Sequence, residues 1–322
     1  MTVFMVFYVL LDLLYQFNLC KIMLIFYMVT ISLSGCVINF LGQVVSAPPL
    51  LLQAFQFGKM AHANPVSRLL AALEVPRSWF VHFYVSACMM VTLALALMCH
   101  VYVSGGSLPP WAAAALDVLT TPHRTQAASA TSAALALCLL ALQIYRRLYE
   151  NLFVSVFSSG HMNVFHYIVG HTHYLGAVAL LLSQAPGFSP DSTIVFSGLE
   201  GHHIAGTVLF LFGFVVQHRS LCLLASLRSN RGKKMQEKYL MPEGGLFEVV
   251  SCPHMLAEVV VYAGLLTVLG THCDWLWVAL WVLSNQHDGT AVVLSEAWCG
   301  LGFSMMAQQS CSARLGVAWG LA

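Results

Sequence analysis

The sequence predicts an all-α polytopic membrane protein, and three observations carry that prediction. Of the 322 residues, 59% are hydrophobic and only 8% charged, against roughly 45–50% and about 25% in soluble domains. Apolar stretches of about 20 residues, long enough to cross a bilayer, recur along the chain. The cations gather in a few of the segments between them.

Seven stretches have the length and apolarity of a span: 22–43, 80–104, 126–145, 164–184, 204–225, 256–272 and 274–294. Residues 2–19 form an eighth candidate, either a further span or an interfacial helix. That stretch contains Asp12 and lacks both a basic start and a small-residue cleavage site, so it does not read as a cleaved signal peptide. The last two spans are so close that they form a tight hairpin near His272, Cys273 and Asp274. Lys59, Arg68 and Arg77 precede the second span, Arg146 and Arg147 follow the third, and Arg228, Arg231, Lys233, Lys234 and Lys238 separate the fifth from the sixth. With seven crossings these cations share one face, which the positive-inside rule puts in the cytosol. The N-terminus is then luminal and the C-terminus cytosolic. Pro109-Pro110 and Pro186 to Pro190 mark loops on the opposite face.

Composition excludes several classes. A formal net charge of +1 offers no sequence-wide basic face for nucleic acid. The 10 cysteines are scattered without a C-x-x-C pair, as small buried hydrophobes are. No strand leads into G-x-G-x-x-G, so a Rossmann module is not the cofactor site. The chain ends without a retention or prenylation signal. No protein partner can be inferred.

Several polar residues sit where an apolar helix makes them costly. Glu258 lies inside the sixth span, with His254 one turn earlier on the same face. Either the two satisfy each other or they face a cavity. Glu150 follows Arg146 and Arg147, at ion-pair spacing on a helix. The basic loop 228–238 runs to Gly244-Gly245, a combination that can hold phosphates but also suits an ordinary cytosolic loop. His161, His166, His171 and His173, with His202-His203, raise a histidine-metal membrane oxidase. Their spacings make neither HxxxH nor HxxHH, so no metal site is assigned. Trp79 and Tyr84 suit a membrane interface.

Six stretches, in order along the chain, resemble the steroid 5α-reductase family and most closely its polyprenal reductase branch. They are FGKM at 57–60, VPRSWFVHFY at 75–84, RRLYENLFVSVFS at 146–158, HYIVGHTHYLG at 166–176, QHRSLCLLASLR at 217–228 and YLMPEGGLFEVVSCPHMLAE at 239–258. The second and last are the specific ones. The resemblance covers roughly residues 55–298 and divides the chain into an N-terminal membrane segment (1–55), a reductase domain (56–298) and a divergent tail (299–322). It implies a seven-helix membrane domain of the endoplasmic reticulum that takes NADPH from the cytosol. The implied reaction reduces the α-isoprene double bond of polyprenal, an isoprenoid lipid, on the way to dolichol and protein N-glycosylation. It further implies a cofactor wall of Gln217, Arg228, Tyr239, Gly244, Gly245, His254 and Glu258. On the substrate side it implies His82, Tyr84, Tyr145, Arg147 and Glu150.

The chain departs from the family pattern in places. Steroid-reducing relatives carry Gln-Glu where this chain has His82-Phe83, which disfavours the alternative activity of a 3-oxo-5α-steroid 4-dehydrogenase. Val249 and Met255 replace residues usually aromatic, and Leu221 replaces a polar one. Glu296 stands where the family has His, and residues 299–322 match none of its closing elements. A non-catalytic lipid-binding relative is therefore the second reading.

Overall fold

The computed structural model describes residues 16–44, 74–156, 161–229, 242, 244–250 and 252–298. Helix α1, Leu19–Val44, comes first. A short strand β1, Glu74–Pro76, and one 3-10 turn, Arg77–Trp79, lead into α2, Phe80–Tyr102. Helix α3, Pro110–Leu119, precedes α4, Ala130–Tyr149, which runs on as a π-turn, Glu150–Val154. Strand β2, His161–Asn163, opens onto α5, Val164–Ser183. Helix α6 spans Gly201–Ser229, α7 Pro253–Leu269 and α8 Trp275–Trp298.

A helix thus lies over each apolar stretch from 22–43 onward, and the protein is a mostly helical membrane protein. Among the described residues three helices are long and apolar enough to cross a membrane: Arg77–Tyr102, Ala130–Val154 and Gly201–Leu227. Pro110–Leu119 and Pro253–Leu269 are shorter apolar helices. Most of the candidate segment 2–19 and all of the tail 299–322 lie outside the described residues.

Local chemistry sets the boundaries. Ser129 Oγ accepts from Ser132 N at 3.0 Å, capping α4 and starting it at Ala130, later than the expected residue 126. Asn163 Oδ1 accepts from Phe165 N at 2.9 Å and caps α5. Pro253 occupies the first turn of α7, where its missing N–H costs nothing. Gly270, at φ 94°, ends that helix in a conformation only glycine adopts readily. The expected hairpin follows: Asp274 accepts from Lys21 Nζ at 3.0 Å and from Asn18 Nδ2 at 3.2 Å, tying the α7–α8 turn to α1.

Three features differ from expectation. The fold is not purely helical, because β1 and β2 pair antiparallel, with Val75 opposite Met162. This clip joins the entrance of α2 to that of α5. The segment 105–125 contains helix α3, started by Pro110 and sustained by an alanine run. Finally, Arg146 and Arg147 are not loop cations. Helix α4 extends through them, and they are 9% and 1% exposed. The extension is stable because Glu150, four and three residues on, neutralises both.

The tightest helix packing joins α6 to α7. A methyl group at Gly206 would sit 2.7 Å from Gly264 O, and one at Gly213 would sit 2.7 Å from Ala257 O. A methyl at Gly264 would in turn meet Phe210 N at 2.7 Å. The small residues recur seven apart on each helix, 206 and 213 against 257 and 264, so two backbones touch along one antiparallel seam. Gln217, one turn beyond Gly213, reaches back with its side chain to Glu258, beside Ala257.

Candidate active site

At one end of the bundle, α2, α4, α6, α7 and α8 bury a connected group of polar side chains. Its centre is Glu150, which is 0% exposed. The π-turn that begins there widens the helix by one residue per turn, a distortion common at functional sites. Glu150 Oε2 accepts from Arg147 Nη1 at 2.6 Å. Its Oε1 accepts from His218 Nδ1 at 2.8 Å and lies 3.3 Å from Arg146 Nε. A carboxylate here is tolerable only because two guanidinium groups compensate it.

Each arginine reaches further. Arg147 Nη2 donates to Tyr84 OH at 3.0 Å, and its guanidinium lies 5.3 Å from the Tyr84 ring. Arg146 Nη2 donates to Gln143 Oε1 at 2.8 Å. It also bonds Gln217 Oε1, while Arg146 Nη1 bonds Phe214 O. The Arg146 guanidinium packs 3.9 Å from the Phe214 ring centre. Gln217 Nε2 passes the network to Glu258 Oε2 at 3.4 Å, and Gln286 Nε2 donates to the same oxygen at 3.0 Å.

A wall of tyrosines adjoins the charges. Tyr84 packs on Tyr174 with ring centres 5.6 Å apart. Tyr262 OH bonds His173 Nε2 at 2.9 Å. His254 is 1% exposed, and neither ring nitrogen has a hydrogen-bond partner. The pairing of His254 with Glu258 weighed from the sequence does not occur, since Glu258 takes its bonds from two glutamines instead.

The structure brings together Tyr84, Arg147, Glu150, Gln217 and Glu258, with His254 one turn before Glu258 on α7. Two expected substrate-side residues lie apart from this network. His82 is exposed and bonds Tyr167 OH at 3.2 Å, beside the Trp79 ring. Tyr145 is 42% exposed and bonds Thr92 Oγ1 at 2.7 Å. Gly244 and Gly245 adopt φ of 93° and 61°, and Gly244 N donates to Glu248 Oε1 at 2.6 Å. Arg228 belongs to the last turn of α6, and Tyr239 lies outside the described residues. Glu296 belongs to α8.

Sequence reasoning missed Gln143, His218, Tyr174, Tyr262 and Gln286, whereas the ion-pair spacing of Arg146 with Glu150 is borne out. His218 and Gln143 carried a usable signal, as polar side chains inside apolar helices. The tyrosines carried none, because their spacing matches that of ordinary core aromatics. The histidines of α5 and α6 have non-metal partners: His171 bonds Ser86 at 2.8 Å, and His203 bonds Ser132 at 2.8 Å. Among the described residues no three His, Cys, Asp or Glu side chains converge as a metal-binding group.

Comparison with known proteins agrees with the sequence blocks. The family model described as 3-oxo-5-alpha-steroid 4-dehydrogenase matches residues 196–295. A polyprenal reductase of Drosophila melanogaster is 34% identical over 292 residues, covering 88% of this chain and 88% of the relative. One from Danio rerio is 37% identical over 218 residues, covering 66% and 70%. One from Homo sapiens is 31% identical over 239 residues, covering 72% and 75%. The Drosophila match takes in more of the chain than residues 55–322 hold, so the similarity reaches into the N-terminal segment. The chain belongs to the steroid 5α-reductase family, within its polyprenal reductase branch.

Proposed function

We propose that this protein is an NADPH-dependent oxidoreductase that saturates the α-isoprene double bond of polyprenal, supplying dolichol synthesis and protein N-glycosylation. It works as a multi-pass protein of the endoplasmic reticulum membrane with seven crossings, a luminal N-terminus and a cytosolic basic loop at 228–238. The name that these relatives share, polyprenal reductase, supports the substrate class.

One observation carries the chemical reading. The Tyr84 oxygen accepts from Arg147, so its own proton is free to donate onward. A hydroxyl held this way polarises a carbonyl oxygen, and the Arg147 cation behind it stabilises negative charge that develops there. Glu150 fixes the orientation of Arg147. The long isoprenoid tail stays in the lipid.

The residues also fit a dinucleotide. Buried polar atoms are almost always paired, and His254 has two unpaired ring nitrogens. An amide or ribose hydroxyl bound beside it satisfies them, with Gln217 and Glu258 as neighbouring contacts. Arg228, Tyr239, Gly244 and Gly245 complete the cofactor side in this reading. When bound, NADPH supplies the hydride for the β-carbon, and a proton from water completes the α-carbon. On the substrate side Tyr84, Arg147 and Glu150 act, while His82 and Tyr145 hold more peripheral positions.

The test is NADPH-dependent reduction of a short-chain polyprenal by microsomes containing this chain, with the saturated product followed by mass spectrometry. Product above that of empty microsomes is expected. None, from a chain shown to be folded, overturns the reading in favour of a lipid-binding relative.

A further inference from the structure

Cys222, one turn after His218 on α6, is half-buried and free. Its Sγ lies 3.6 Å from His218 Nε2. The other ring nitrogen of His218 lies 2.8 Å from Glu150 Oε1. Glu150, bound to Arg147 and flanked by Arg146, is an ionised acceptor, so His218 Nδ1 carries the proton and donates it. The Nε2 lone pair therefore faces the thiol. Thiol, imidazole and carboxylate stand in the order that activates a nucleophile: a base beside the sulfur and an acid orienting the base.

From this arrangement we infer that Cys222 is a nucleophilic thiol that adds to unhindered α,β-unsaturated carbonyl compounds, with His218 as its general base. In the addition a bond forms between Sγ and the β-carbon, and the carbon–carbon π bond breaks. The thiol proton passes to His218 Nε2 and is returned to the α-carbon. No oxidant or reductant is consumed. The β-carbon of a polyprenal bears a branching methyl and resists such addition, so the electrophile is a smaller enal or enone, and the inference does not depend on the proposed reductase activity.

Among the described thiols Cys222 is the one with a hydrogen bond to an imidazole. Cys99 and Cys138 are exposed, and Cys20, Cys252 and Cys273 are buried. Cys88 is half-buried with its Sγ 3.9 Å from Ile144 O, and Cys273 donates to Gly270 O at 2.8 Å.

The experiment is timed alkylation of the full-length protein in detergent with N-ethylmaleimide and, separately, acrolein, with each cysteine followed by peptide mass spectrometry. Cys222 is expected to react about tenfold faster than Cys99 and Cys138, and His218→Gln to remove that advantage. Comparing the variant with the native protein at the same cysteine cancels differences in membrane depth. Cys20 and Cys273 staying unlabelled verifies that the variant is folded. A Cys222 rate equal to that of Cys99 and Cys138, or a rate unchanged in His218→Gln, overturns the inference.

Discussion

Replacing Glu150 with glutamine tests the energetic centre of the site. The carboxylate lies 2.6 Å from Arg147 Nη1 and 3.3 Å from Arg146 Nε, and it is 0% exposed. At an effective dielectric constant of about 20, one such pair with charge centres about 4 Å apart attracts by about 4 kcal/mol, so the two pairs together contribute about 8 kcal/mol before desolvation. Burying three charges costs several kcal/mol per ion, so the intact trio is close to balance. Removing the central charge is different, because it leaves two buried cations side by side without compensation. The expected cost is about 3–5 kcal/mol, which lowers the folded-to-unfolded ratio by about 10²-fold to about 5,000-fold. The assay is the equilibrium folded fraction in one fixed detergent, read by size-exclusion and tryptophan fluorescence. Adding Arg146→Met to Glu150→Gln removes one of the orphaned cations and should recover part of the loss, a coupling of about 1–3 kcal/mol. A single variant within about 0.5 kcal/mol of the native protein, or a double variant no better than the sum of its parts, refutes the account of Glu150 as the compensating charge.

Three further outcomes follow from the geometry. Tyr84→Phe keeps the ring packing and removes only the hydroxyl, so kcat for polyprenal reduction should fall by about 10²-fold with little change in KM. Tyr145→Phe, whose hydroxyl is spent on Thr92, should stay within about twofold, and an equal loss in both contradicts the assignment. Glu258→Gln should weaken NADPH binding by about tenfold in a fluorescence titration; unchanged affinity removes Glu258 from the cofactor wall. Gly213→Val places branched carbon against Ala257 O, so folded yield should fall sharply, whereas Gly198→Ala, where an added methyl meets nothing within 4 Å, should be neutral.

The helical architecture was legible because membrane spans are written in composition and length, which do not depend on the rest of the chain. Boundaries were less so: the capping of α4 by Ser129 depends on a single hydroxyl, and its extension past Arg147 depends on an acid that only a helix brings into register. The site was half legible. Glu258 and Glu150 stood out because charge inside an apolar run is costly wherever it occurs. Tyr174, Tyr262 and Gln286 did not, because their importance arises from helices far apart in sequence. His82 and Tyr145 were selected by position in a motif, and motif position does not reveal which side of a helix faces the network. The α6–α7 seam was present in the sequence as glycines seven apart, but the pairing with Ala257 and Gly264 emerges only when the two helices are side by side.

That seam has a consequence for how the molecule can move. Where backbone meets backbone, no rotamers lie between the helices to be exchanged, and any sliding drives carbonyl oxygen against peptide nitrogen. The α6–α7 pair therefore behaves as a single stiff beam, with Gln217 and His218 on one flange and Glu258 on the other. In the proposed reaction a lipid tail entering from the bilayer would have to part other helices, while the beam holds its polar groups at fixed spacing.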